Sequence, residues 1–135
     1  MEKRNGLTLI ELLIVILVVG ILAAVAIPMM TGRIDSAKWA EGKAMAGTIG
    51  RAMRAHIGEK GDNFTHVPTL EQLGFRSGDL NGNYFTGGES GTGNFSWVIN
   101  TSNPINYLVT ITAPAGVTTP SQITLDQAGS FTETP

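Results

Sequence analysis

Glu11 is the residue whose chemistry its surroundings do least to explain. It is the one ionisable side chain between Arg4 and Arg33, and it sits inside an apolar run. From Leu12 to Ile27 every residue is Ala, Val, Ile or Leu except Gly20, and residues 7–10 extend the run backwards. A carboxylate at the centre of a membrane helix costs about 2.5–3.5 kcal/mol on insertion scales, so it needs a partner. Cleavage between Gly6 and Leu7 would create an α-amino group about one helical turn from Glu11. That ammonium would be the natural counter-charge, and between staggered neighbouring helices the pair could set the axial register.

Other reactive side chains are scattered. His56 and His66 are the only histidines, no Cys is present, and no tight carboxylate cluster accompanies either His. Thiolate nucleophiles, disulfides and Cys-based zinc sites are therefore excluded. Ser90, Ser96, Ser102 and Ser121 lack the Gly-x-Ser-x-Gly context of an activated nucleophile. Asp79, Asn81 and Asn83 place oxygen ligands at alternate positions, loosely like the start of a calcium loop. The glycine falls two places early and no acid closes the motif, so an Asn-Gly turn is the simpler reading. The sequence offers no cofactor site and predicts a structural protein rather than an enzyme.

The elements that must position Glu11 follow from hydropathy. Lys3 and Arg4 precede the apolar run, which puts the N-terminus in the cytoplasm and residues after Pro28 across the membrane. The run approaches the length that spans a bilayer core. The segment Leu9-Ile10-Glu11-Leu12-Leu13-Ile14-Val15, followed by Gly20-Ile21-Leu22-Ala23-Ala24-Val25-Ala26-Ile27-Pro28, resembles the type IV pilin family almost residue for residue. So does the short charged leader ending in Gly6. Leu7 stands where that family usually has Phe or Met. The resemblance implies a precursor in the inner membrane, cleaved after Gly6 and N-methylated at Leu7 by a prepilin peptidase and methyltransferase. It implies an inner-membrane assembly platform and a helical homopolymer in which Glu11 pairs with a neighbour's Leu7 amine. It also implies a helix that can extend or melt between Gly20 and Pro28 in the filament. A modest kink in a continuous helix is the alternative at Pro28, which removes the donor to the Ala24 carbonyl.

The expected fold class is α+β: a long N-terminal helix on a small antiparallel sheet. The organisation is a leader (1–6), a hydrophobic transmembrane and polymerisation helix (7–28), an amphipathic helix (29–60), and a linker with a C-terminal sheet (61–135). A helix from Leu7 to Gly58 would be about 75–80 Å long. Ile34, Ala37, Met45, Ile49, Ala52 and His56 fall at spacings that put most of them on one face, the predicted apolar side of the helix. Gly42, Gly47 and Gly50, with Ala44, Ala46 and Ala52, predict close approach by a sheet or a neighbouring helix. Gly58 and Gly61 bracket the helix end.

Thr69 is predicted to cap a short helix, Leu70-Glu71-Gln72-Leu73, ended by Gly74. Strands are predicted at Tyr84-Phe85, Phe95–Ile99, Tyr107–Thr112 and Ile123–Leu125, with a last hairpin pairing Ile123–Leu125 to Ser130–Thr132. The turns between them include Gly87-Gly88, Asn103-Pro104 and Asp126–Gly129. The spread aromatics read as strand core.

The 135 residues carry a formal net charge of −2, or −3 without residues 1–6, with no electrostatic footprint for nucleic acid. Residues 33–60 hold six basic and three acidic side chains, whereas residues 77–135 hold four acids and no Lys or Arg. This asymmetry suits a basic helix of one copy meeting the acidic head of another.

The expected location is the inner membrane for the precursor and a cell-surface filament afterwards, with the pseudopilin of a type II secretion system as the nearest alternative. A more remote alternative is a secreted binding domain behind an ordinary signal peptide cut near Ala24-Val25-Ala26. Adhesion, motility, DNA uptake, secretion and electron transfer are the tasks such a filament could serve.

Overall fold

A computed structural model describes residues 8–61, 66–88, 93–100 and 105–135. It contains one helix, α1 (Leu9–Lys60), and four strands: β1 (Phe95–Asn100), β2 (Asn106–Thr112), β3 (Gln122–Asp126) and β4 (Phe131–Thr134). The chain divides into two compact units, Met1–Ser36 and Ala37–Pro135.

In the first unit, α1 begins at a capping box built from Thr8-Leu9-Ile10-Glu11. The Thr8 hydroxyl accepts the Glu11 N–H at 3.3 Å, while the Thr8 N–H donates to Glu11 Oε2 at 2.8 Å. The helix is continuous through Gly20 and Pro28. Its apolar side chains are exposed, from Leu9 at 83% to Val18 at 48%.

In the second unit the strands form an antiparallel meander in the order β1-β2-β3-β4. Trp97 opposes Val109, which opposes Leu125, and Phe95 opposes Ile111, which opposes Ile123. These inward residues are all buried, each contributing about 1.5–3 kcal/mol of transfer free energy. They share a core with Trp39, Ala46, Ile49 and Met53 of α1. Tyr107 ties helix to sheet by polar contacts as well. Its hydroxyl donates to the Gly50 carbonyl at 3.0 Å and accepts from Arg54 Nε at 2.8 Å.

The buried face of α1 differs in part from expectation. Ile49 is buried and Met45, Ala52 and His56 are partly covered, but Ile34 and Ala37 are exposed. The face is centred instead on Trp39, Gly42, Ala46, Ile49, Gly50 and Met53. Small residues occur on both sides of this helix, so composition alone does not choose between them. Gly42 faces Phe85 and Gly50 faces Leu125 and Tyr107, whereas Ala40 and Ala44 are exposed. The helix ends as predicted between Gly58 and Gly61: Gly61 has φ +59° and its N–H reaches the Ile57 carbonyl at 2.9 Å.

Three local expectations are corrected. Residues 70–74 form one capped turn rather than a helix. Thr69 and Gln72 cap it reciprocally (3.0 and 3.4 Å). Gly74, with φ +86°, closes it through the Gly74 N–H to Glu71 and the Phe75 N–H to Leu70. The two caps leave no room for a second turn. Tyr84-Phe85 is not a strand, because its backbone N–H groups bond to the Glu41 carboxylate instead of a sheet neighbour. In the last hairpin β4 begins at Phe131, opposite Leu125, rather than at Ser130. Ser130 is drawn into the turn, its N–H on Asp126 Oδ1 at 2.8 Å, with Gly129 at φ +89°. The expected Asn103-Pro104 turn lies outside the described residues.

Candidate functional site

The site begins where α1 begins. Glu11 occupies the third position of the helix, where its carboxylate reaches back over the first turn. Both the N–H and the hydroxyl of Thr8 donate to Glu11 Oε2 at 2.8 Å. The carboxylate is therefore held against the helix N-terminus, where unpaired N–H groups and the helix dipole favour negative charge. It is exposed, and among the described residues only Thr8 bonds to it. Gly6 and Leu7 lie outside the described residues. Thr8 is the site residue that sequence reasoning overlooked, although Thr-x-x-Glu ahead of an apolar run is a legible capping signature.

Beyond Glu11, helix positions 12–30 present aliphatic side chains, Gly20, Pro28 and two methionines, all exposed. A Cβ placed on Gly20 would meet nothing within 4 Å, so no contact within the chain requires a glycine there. Pro28 sits inside the helix without interrupting it. By length and composition α1 is able to cross a membrane: an 18-residue window reaches a mean hydropathy of 3.1, and none of it is buried. Such a surface in water would be a large aggregation liability, and it needs lipid or other copies around it.

The remaining candidates are not brought together. Asp79 Oδ2 accepts the Arg76 N–H at 2.8 Å and Asn81 Oδ1 accepts the Gly87 N–H at 3.0 Å, so both oxygens close turns. Asn83 is exposed beside them. Among the described residues no group of three His, Asp or Glu side chains converges on one point. His56 is partly covered on the helix flank, His66 is exposed in the linker, and Ser96 lies in β1 and Ser121 just before β3. Ser90 and Ser102 lie outside the described residues. Part of the charge asymmetry is used within the chain, where Lys43 pairs with Glu133 of β4 at 2.9 Å.

An apolar, exposed helix that starts on a carboxylate and continues onto a four-stranded antiparallel sheet defines a pilin-like α+β fold. Comparison with known proteins agrees. Residues 1–27 match the model described as the prokaryotic N-terminal methylation motif. Over 72 residues the chain is 35% identical to the type II secretion system core protein G of Pseudomonas aeruginosa, a match covering 53% of this chain and 49% of that protein. The chain thus spans about half the length of this curated relative. No solved structure matches it. Both matches point to a structural, pilin-like subunit rather than an enzyme.

Proposed function

We propose that this chain is the structural subunit of a type IV pilus-like filament. It waits in the inner membrane as a precursor, is cleaved between Gly6 and Leu7, is N-methylated at Leu7, and polymerises through α1. The observation that carries this reading is the placement of Glu11. An acid fixed at the start of an apolar, unburied helix has a purpose when the next subunit brings a cationic N-terminus to it. Prepilin peptidase, which would create that amine, and an inner-membrane assembly platform are the implied partners. Gly20 and Pro28 are the positions where the helix would extend on assembly. Gly20 weakens helix propensity by about 0.8–1 kcal/mol relative to Ala, and Pro28 removes one backbone bond.

The relative named as a type II secretion core protein supports a second reading, in which the same chemistry builds a short secretion pseudopilus. One experiment separates the two: N-terminal sequencing and mass measurement of material sheared from cells. An N-methyl-leucine start at Leu7 in the sheared fraction supports a surface filament. A processed chain retained with the cells favours the pseudopilus. A start at Ile27 would overturn both in favour of an ordinary secreted domain.

A further inference from the structure

The segment after the Gly78 turn is hydrogen-bonded to α1 through the Glu41 carboxylate. Glu41 Oε1 accepts the N–H of Tyr84 at 2.9 Å and of Phe85 at 3.1 Å. The turn beneath it is closed by the Gly82 N–H on the Phe85 carbonyl at 2.8 Å. A Cβ on Gly82 would fall on the Glu41 carboxylate, so the backbone approaches the acid as closely as a glycine allows.

This contact seats Phe85 with the tip of its ring against the helix at Gly42. An added Cβ on Gly42 would lie 2.7 Å from Phe85 Cζ, and the Phe85 ring is fully buried between Trp39 (centroids 5.6 Å) and Phe95 (5.8 Å). Trp39 is buried with it, and its indole N–H meets no acceptor among the described residues. Tyr84, next in line, stays half exposed and lies under the Lys38 ammonium at 5.7 Å.

We infer that Glu41 is an acid-releasable latch: its carboxylate straps residues 82–85 over Gly42 and Trp39, and protonation frees the strap and uncovers that helix face. Two opposed tendencies make the strap a two-state element. Charge-assisted hydrogen bonds and the burial of Phe85 hold it closed. A buried indole N–H lacking a protein acceptor favours opening, which would hydrate it. The inference goes beyond the filament reading and does not depend on it.

The sign of the pH effect follows from the bonds. The Tyr84 N–H, with smaller help from those of Phe85 and Asn83 against some desolvation, holds the Glu41 carboxyl below the usual carboxylate range. The latch is intact above the unfolded Glu value of about 4.3. It is lost as pH falls through the lower folded value. The charged and titratable groups flanking this contact in sequence are Lys38 and Lys43 on α1 and Asp79 and Tyr84 on the strap side, with the Lys38 ammonium over the Tyr84 ring. Asp79, whose carboxylate accepts the Arg76 N–H and not those of the strap, serves as the control.

The test is hydrogen exchange of the full chain in detergent, read at the Tyr84 and Phe85 amides and normalised to intrinsic rates. Glu41→Gln and Glu41→Ala at pH 7 should lower protection of these two amides by tenfold or more, leaving the β2–β3 amides unchanged. Wild type taken stepwise to acid below the usual carboxylate range should show the same selective loss, and Asp79→Asn should follow wild type. Unchanged protection at Tyr84 and Phe85 in either Glu41 variant overturns the latch. Loss spread equally over β2 and β3 also overturns it, because Glu41 would then be supporting the whole fold.

Discussion

Alanine substitution at glycines of one helix should have opposite effects depending on the face each occupies. Gly42 and Gly47 both lie inside α1 in the second unit, and replacing either by Ala gains about 0.8–1 kcal/mol of helix propensity. At Gly47 the new methyl would find its nearest neighbour, an Arg51 Nη1 at the end of a flexible side chain, 3.8 Å away. At Gly42 it would lie 2.7, 2.9 and 3.0 Å from three atoms of the Phe85 ring. That ring is wedged between Trp39 and Phe95 and has nowhere to retreat. Overpacking of this kind costs about 1–3 kcal/mol. Because the propensity gain cancels between the two variants, their difference isolates the contact, at about 1–3 kcal/mol. For a unit of this size the Gly42→Ala melting midpoint should fall at least about 4 °C below that of Gly47→Ala. Gly50→Ala should lie between them, since its Cβ would approach Leu125 Cδ2 and Tyr107 Oη at 3.1 and 3.2 Å. Tryptophan fluorescence of the detergent-solubilised chain during heating reads this directly, as Trp39 and Trp97 are both in the core. A Gly42→Ala protein as stable as Gly47→Ala would refute the close approach of Phe85 to the helix.

Three further outcomes are expected. Glu11→Ala should keep the chain in the membrane fraction, since removing an acid from an apolar run favours insertion, and should abolish or sharply reduce assembly; normal filaments from this variant would remove the role assigned to Glu11. Tyr107→Phe deletes the hydroxyl that bonds both Gly50 and Arg54, and chemical denaturation should record a loss of about 1–2 kcal/mol; an unchanged midpoint would mean those bonds add nothing net. Glu133→Gln breaks the ion pair with Lys43, whose side chains are 35% and 55% exposed. Its effect should stay below about 1 kcal/mol at low salt and vanish near 1 M, and a larger or salt-insensitive loss would contradict a solvent-screened pair.

What the sequence determined by itself is local. An apolar run with one acid, set behind Thr8 and a basic leader, specifies an apolar helix that starts near Leu9, because hydropathy and capping act over a few residues. The strict alternation of Phe95-Ser96-Trp97 and Tyr107–Thr112 likewise fixes which side chains face a core, since strand geometry turns every second residue inward. Gly61 ends the helix because its left-handed backbone suits a residue without a side chain.

What the tertiary structure decided is which of several permitted contacts is made. Gly42 and Gly47 look alike in the sequence, and so do Ala44 and Ala46. Only the arrival of Phe85 and the sheet makes Gly42 and Ala46 the buried pair, while Ala44 is left outside. Tyr84-Phe85 has strand propensity, yet a carboxylate 43 and 44 positions earlier takes its N–H groups and makes it a strap. Propensity is a property of neighbours along the chain. The partner of a backbone N–H is chosen by whatever acceptor the folded chain brings near it, and for Tyr84 and Phe85 that acceptor is Glu41.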